Sequence, residues 1–279
     1  MSSPDQIAQA SSKPQELDAL QSLLASIADP KSRAAAELAY FLGRNAHLAA
    51  PKDQIVMLVH GIRTHAEWQE RLRDKLAAVN IKAQPIGYGI FDAIRFVCPI
   101  GTRAAPRRKV ERELRSLRMR YPDAEISVVA HSFGTYLIAQ ILEDATDIQL
   151  HRLLLCGSII PPKYRWDKVQ HRISGSILND AGTKDIWPAL ARSTWGYGAS
   201  GVLGFKTTGV EDRFHECAHS DFFKNEHMEK YWLPFLQTGQ IVPASGDRPS
   251  PPGHISFFCR APIKTLLLAS LVIGTWAFW

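Results

Sequence analysis

The sequence predicts an α/β fold: a doubly wound, mostly parallel sheet with helices on both faces. Three observations predict it. Short apolar runs of strand length recur through the middle of the chain, Ile55-Val56-Met57-Leu58-Val59, Ile126 to Ala130 and Leu153-Leu154-Leu155-Cys156, and unbroken apolar runs suit strands covered on both faces. Segments with helical spacing lie between them, which is the alternation of a parallel sheet. The residues able to do chemistry follow directly after apolar runs, where such sheets gather their reactive groups.

Residues 1–50 read as an N-terminal helical extension. Leu17, Leu20, Leu23, Leu24 and Ile27 recur at helical spacing, Asp29-Pro30 breaks the pattern, and a second helix is expected from Ser32 to Arg44. The main domain is expected over 51–240. Its first strand, Ile55 to Val59, stops at His60-Gly61. A helix near Ala66 to Val79, a strand near Ile81 to Tyr88, a loop through Val97 and a helix from Pro106 to Tyr121 follow. Strand Ile126 to Ala130 then climbs into Ser132 and a largely apolar helix to about Leu142. Strands are expected at Leu153 to Cys156, Ile173 to Leu178 and Val210 to Cys217, and a closing helix at Phe222 to Leu236. Residues 241–256, with Pro243, Pro249, Pro251 and Pro252 among small polar residues, have linker composition, and 257–279 form an apolar tail.

Composition narrows the class. A chain of 279 residues can bury one full core. The net charge of +6 is concentrated around 103–120 and does not single out nucleic acid, which is not expected as a partner. Cys98, Cys156, Cys217 and Cys259 are scattered without a C-x-x-C pair, so neither zinc nor a disulfide framework is expected. The first twenty residues lack an apolar core segment, so no secretory signal and no secretion are expected.

Val128-Val129-Ala130-His131-Ser132-Phe133-Gly134 has the pattern of a β-run turning sharply into a helix with a serine at the corner, which lifts a hydroxyl clear of the sheet. A serine hydroxyl needs an adjacent base to act as a nucleophile. Four histidines are candidates. His219 follows the last strand and precedes Ser220-Asp221, which can cap the next helix. His215 lies inside the strand pattern, His227 on the closing helix, and His131 beside the serine, where the turn is expected to point it away. The other reading of Ser132 is a plain helix cap.

His60-Gly61, Ala130-His131-Ser132-Phe133-Gly134, a later aspartate and a still later histidine resemble the α/β-hydrolase family in order and spacing over Gln54 to Leu236. Ala130 departs from the glycine most common at its position. The resemblance implies Ser132 as nucleophile, His219 as base and Asp185, in the loop after Ile177-Leu178-Asn179, as the acid that orients the imidazole; Asp180 is the runner-up. It also implies an oxyanion site from the backbone amides of Phe133 and Ile62. No metal and no organic cofactor is implied. Arg63 is a candidate for holding an anionic substrate group. Trp187 and Trp195, with Tyr197, Leu203 and Phe205, are candidates for an apolar acyl pocket, and Trp68 is expected in the core.

The expected function is cleavage of an ester or thioester, a lipid-like acyl substrate being favoured, through an acyl-enzyme. The alternatives are a catalytically inert, membrane-tethered interaction module on the same scaffold, and a serine peptidase. Arg107-Arg108-Lys109 sit at an already positive helix start and invite an anionic partner. Thr265 to Trp279 carries no charged side chain. With snorkelling Lys264 this predicts membrane association through 261–279, Arg260 and Lys264 staying on the cytoplasmic face.

Overall fold

The computed structural model describes residues 22–48, 52–61, 67–87, 102–245 and 248–261. The chain forms two compact units, Met1–Pro51 and Lys52–Trp279. In the first, helix α1 (Pro30–Leu48) starts on the proline, whose fixed φ suits a first turn. The Asp29 carboxylate caps it, accepting from Ser32 N at 2.9 Å and Ser32 Oγ at 2.6 Å.

The second unit is built on a six-stranded sheet in the order β2-β1-β3-β4-β5-β6. Its strands are β1 (Gln54–Val59), β2 (Lys82–Ile86), β3 (Glu125–His131), β4 (Leu153–Cys156), β5 (Ile177–Gly182) and β6 (Glu211–His215). Every neighbouring pair is parallel. Side chains alternate between faces. Ile55, Met57 and Val59 therefore pack with Val110, Leu114 and Leu117 of α3 (Ala104–Arg120) and Leu137, Ile138 and Ile141 of α4 (Phe133–Asp144). Val56 and Leu58 pack on the other face with Trp68, Leu72 and Leu76 of α2 (Glu67–Ala78), and with Trp232 and Phe235. Two covered faces explain why β1 reads as one apolar run.

The chain runs outward from β1 to β2, then returns past β1 to β3 and continues to β6. Helix α2, which follows β1, and α4, which follows β3, pack on opposite faces of the sheet, so the carboxyl ends of β1 and β3 form the point where the strand order reverses. His60-Gly61 and Ser132 stand at that point. This is the mostly parallel, helix-flanked sheet of an α/β-hydrolase-like fold.

Several elements depart from expectation. The fifth strand covers Ile177–Gly182, not Ile173 to Leu178; Ile173 makes only an isolated bridge to Leu150. Gly175 presses on the His151 carbonyl, where a Cβ would come within 2.8 Å, and ends the earlier apolar pattern. The strand continues through Asn179 and Asp180, both buried and polar. Short helices α5 (Ile186–Ala191) and α6 (Ser200–Leu203) lie between β5 and β6, where no helix was expected. The closing helix is broken into a 3-10 turn (Asp221–Phe223), an extended Lys224, α7 (Asn225–His227), a π-turn (Met228–Trp232) and α8 (Leu233–Thr238). Pro234 has no amide to give the Lys230 carbonyl, so the regular ladder cannot run through.

The membrane expectation is corrected. Among the described residues no helix is long and apolar enough to cross a membrane. Helix α9 (Gly253–Arg260) buries Ile255 and Cys259 against Ala189, Ala199 and Val202, and the backbone turns extended at Ala261, ahead of Pro262. A membrane-spanning tail and a location anchored at the cytoplasmic face therefore do not stand; residues 262–279 themselves lie outside the described residues.

Candidate active site

At the corner between β3 and α4 the Ser132 backbone stands at φ 52° and ψ −119°, left-handed for a residue with a side chain. Such a conformation costs of order 1–3 kcal/mol and persists where its surroundings fix it. Here Ser132 N donates to the Cys156 carbonyl at 3.0 Å, and the Ser132 carbonyl accepts from Thr135 N at 3.0 Å and Thr135 Oγ1 at 2.6 Å. The Ser132 side chain makes no capping hydrogen bond to α4, so the plain cap reading is not the one adopted. Backbone packs on backbone around the corner. A Cβ on Gly61 would stand 2.7 Å from the Ser132 Cβ, and one on Gly134 would stand 2.7 Å from the Val59 carbonyl oxygen. Ala130 is fully buried between Val59 and Leu155, so the extra methyl is accommodated.

Asp185 caps α5 beyond the end of β5. Its Oδ1 accepts from Trp187 N at 3.0 Å. Its Oδ2 lies 2.7 Å from His219 Nδ1. Asp185 is buried and His219 partly exposed. A carboxylate on Nδ1 fixes the ring and leaves Nε2 for other work. His219 comes from the loop after β6, whose Cys217 carbonyl accepts from Lys184 N at 3.2 Å.

Gly157 joins these parts. It follows Cys156, which holds the Ser132 amide, and it has φ +53°. A Cβ there would lie 3.0 Å from the His219 ring and 3.3 Å from Asp185 Oδ2. The Cys156-Gly157 turn therefore touches the serine corner on one side and the Asp185–His219 pair on the other. Sequence reasoning passed over this glycine, and a glycine directly after a strand carries no signal that separates this role from an ordinary turn.

His131 lies fully buried, its ring centroid 4.4 Å from that of His219. Burial, and then the His219 neighbour, push its pKa well below the ordinary range. His60 is also lowered, mainly by burial, and its Nδ1 is 2.6 Å from the Gly61 carbonyl. Phe133, at the first position of α4, packs against Tyr136 and Tyr197. The Arg103 guanidinium lies over Tyr197 at 4.0 Å and donates to the Trp195 carbonyl at 2.9 Å. Trp187 and Trp195 are 59% and 53% exposed, and Trp187 is 6.3 Å from the His219 ring. Trp68 is core, stacked on Phe223. Ile62 and Arg63 lie outside the described residues.

The rival histidines and the rival aspartate meet one another instead. Asp180, fully buried in β5, accepts from Arg213 Nε at 2.6 Å, Arg213 Nη2 at 2.9 Å and Trp232 Nε1 at 2.7 Å. His215 Nε2 and His227 Nε2 each stand 3.3 Å from it. Burial works against its charge, but the hydrogen bonds of His215 and His227 and the charge of Arg213 prevail and hold its pKa well below the carboxylate range. Asp180, His215 and His227 are the one group among the described residues with metal-site spacing, their ligand atoms lying within 4.8 Å. The chemistry of the donor set does not fit a cation. Both carboxylate oxygens are filled, and a guanidinium already supplies the positive charge.

The basic helix also finds partners within the protein. Arg107 pairs with Asp144 at 2.6 Å, Arg115 with Asp147 at 2.7 Å, and Arg118 donates to the Pro122 and Ala124 carbonyls. Asp144 supplies the anion at Arg107 from within the protein.

No protein-family model matches the sequence, and a comparison with curated proteins gives no match. Solved structures are similar at low identity. A cold-adapted esterase from an Arctic intertidal metagenomic library is 16% identical, with 61% of this chain and 76% of that one covered and a TM-score of 0.43. A structure from work on LipS and LipT, two metagenome-derived lipolytic enzymes, is 11% identical, with 67% and 94% covered and a TM-score of 0.46. A Listeria innocua protein is 12% identical, with 69% and 97% covered and a TM-score of 0.44. At these values the likeness adds nothing to the fold assignment, which rests on the parallel strand order and the helices on both faces.

Proposed function

We propose that this protein is a serine hydrolase that cleaves an ester or thioester through an acyl-enzyme. Ser132 Oγ attacks the carbonyl carbon, His219 Nε2 takes its proton and returns it to the leaving group, and Asp185 orients the imidazole and balances its charge. The observation that carries this reading is the 2.7 Å contact of His219 Nδ1 with buried Asp185, set against the turn that also holds the Ser132 amide. The left-handed corner at Ser132 supports it, because a capping serine has no need of that conformation. The Phe133 amide, first in α4, is the proposed oxyanion donor together with that of Ile62. Exposed Trp187, beside His219, and exposed Trp195 favour an apolar acyl group.

The test is a panel of p-nitrophenyl esters of increasing chain length beside a panel of chromogenic peptides. Wild type is expected to turn over esters and to favour apolar acyl groups, and Asp185→Asn to lower kcat by about a thousandfold to ten-thousandfold. Activity on peptides alone would establish the peptidase alternative, and wild-type rates in Asp185→Asn would remove Asp185 from the mechanism.

A further inference from the structure

We propose that Asp180 is a positioning residue for His219: one buried carboxylate holds both ends of the loop that presents the imidazole. The inference rests on the reading of Ser132, Asp185 and His219 given above and deepens it. His219 lies in the segment between β6 and α7. His215, the last residue of β6, closes its near end, and His227, the last of α7, lies beyond its far end. Both put Nε2 at 3.3 Å from Asp180, on different oxygens, and Trp232 in the following π-turn donates to Asp180 Oδ2 at 2.7 Å. Arg213, also on β6, neutralises the carboxylate from two nitrogens. Asp180 belongs to β5, the strand that runs on to Asp185. One carboxylate therefore links the element bearing the acid to both flanks of the segment bearing the base.

The near half of that segment has further ties to the end of β5. Thr183 N donates to the His215 carbonyl at 2.9 Å and Lys184 N to the Cys217 carbonyl at 3.2 Å. Beyond His219, Phe222 lies against Gly182 of β5, and the hydrogen bonds of His227 and Trp232 to Asp180 supply the polar tie back to that strand. Losing those donors loosens the far half, and displacement of a reacting group by about 1 Å costs on the order of a hundredfold in rate.

Asp180→Asn would leave Arg213 buried beside a neutral amide and threaten the fold itself, so the donors are the better targets. His227→Phe and Trp232→Phe keep aromatic packing and remove one hydrogen bond each; His227→Gln keeps a side-chain N–H. Two readouts are taken on intact protein. The first is the downfield imidazole N–H resonance of His219 in ¹⁵N-histidine-labelled protein, assigned by its loss in His219→Gln. The second is kcat and KM on an ester. The resonance is expected in wild type, shifted or broadened in both Phe variants and restored in His227→Gln. Over the same series kcat falls about tenfold to a hundredfold and recovers, with KM nearly unchanged. An unmoved resonance in both Phe variants overturns the proposal whatever their Tm, as does a shifted one with wild-type kcat. A wild type without the resonance overturns it too. If wild type hydrolyses no ester, the serine-hydrolase reading fails, and the resonance alone still decides whether Asp180 holds His219.

Discussion

Ser132 and Gly157 occupy left-handed backbone for different reasons. At Ser132 the strain accompanies a side chain held clear of the helix it precedes; at Gly157 it lets the chain pass beneath the His219 ring with no atom to spare. Gly157→Ala puts a methyl 3.0 Å from that ring in a conformation costing about 1–2 kcal/mol per L-residue. The variant is expected to fold with a lowered Tm and to lose at least about tenfold in kcat, because the imidazole must yield. Wild-type kcat in a folded Gly157→Ala protein would show that the ring has room the geometry denies. The residues of this corner were readable in the sequence where a strand, a serine and small neighbours coincide. Gly157 was not, since a glycine ending a strand looks the same whether or not a ring rests on it.

Among the elements, β5 and β6 show why part of the site was hidden. Apolar runs revealed β1, β3 and β4 because both faces of those strands are covered by side chains of helices. In β5 the carboxyl half is buried by its own polar network, so Asn179 and Asp180 looked like the start of a loop and the strand was expected four residues early. His215 and His227, weighed as rival bases, are bound to Asp180 in a cluster that local sequence cannot reveal, since it joins residues from β5, β6 and the closing helix. The cluster makes a steep stability prediction. Arg213→Met leaves the Asp180 charge buried without its partner, at a cost of about 3–5 kcal/mol, or a fall in Tm of roughly 10 °C. A loss of less than about 1 kcal/mol by urea denaturation would mean that His215, His227 and Trp232 carry the carboxylate unaided.

For the whole molecule, the parallel sheet follows from patterning that the sequence displays openly, whereas the membrane expectation for the tail is overturned: among the described residues no helix is long and apolar enough to cross a membrane, and α9 buries Ile255 and Cys259 against Ala189, Ala199 and Val202. The buried histidines set the response to pH. His60, His131 and His227 all have pKa values lowered first by burial. They stay neutral in the fold while the unfolded chain binds protons below about pH 6.5, so their contribution is intact above that value and is lost as pH falls. The slope is up to about 1.4 kcal/mol per pH unit for each. Asp180, also depressed, adds a second loss only below about pH 4. Tm is therefore expected to be level above pH 7.5, to fall between pH 7 and 5, and to fall again below 4; a level profile from 7.5 to 5 would contradict the neutral assignment. The central claim, that Ser132 is an activated nucleophile, is tested most directly by reacting the folded protein with a fluorophosphonate and locating the adduct by mass spectrometry. The adduct is expected on Ser132 in wild type and nowhere in Ser132→Ala. A well-folded wild type that takes no label, or a label that survives the substitution, would contradict it.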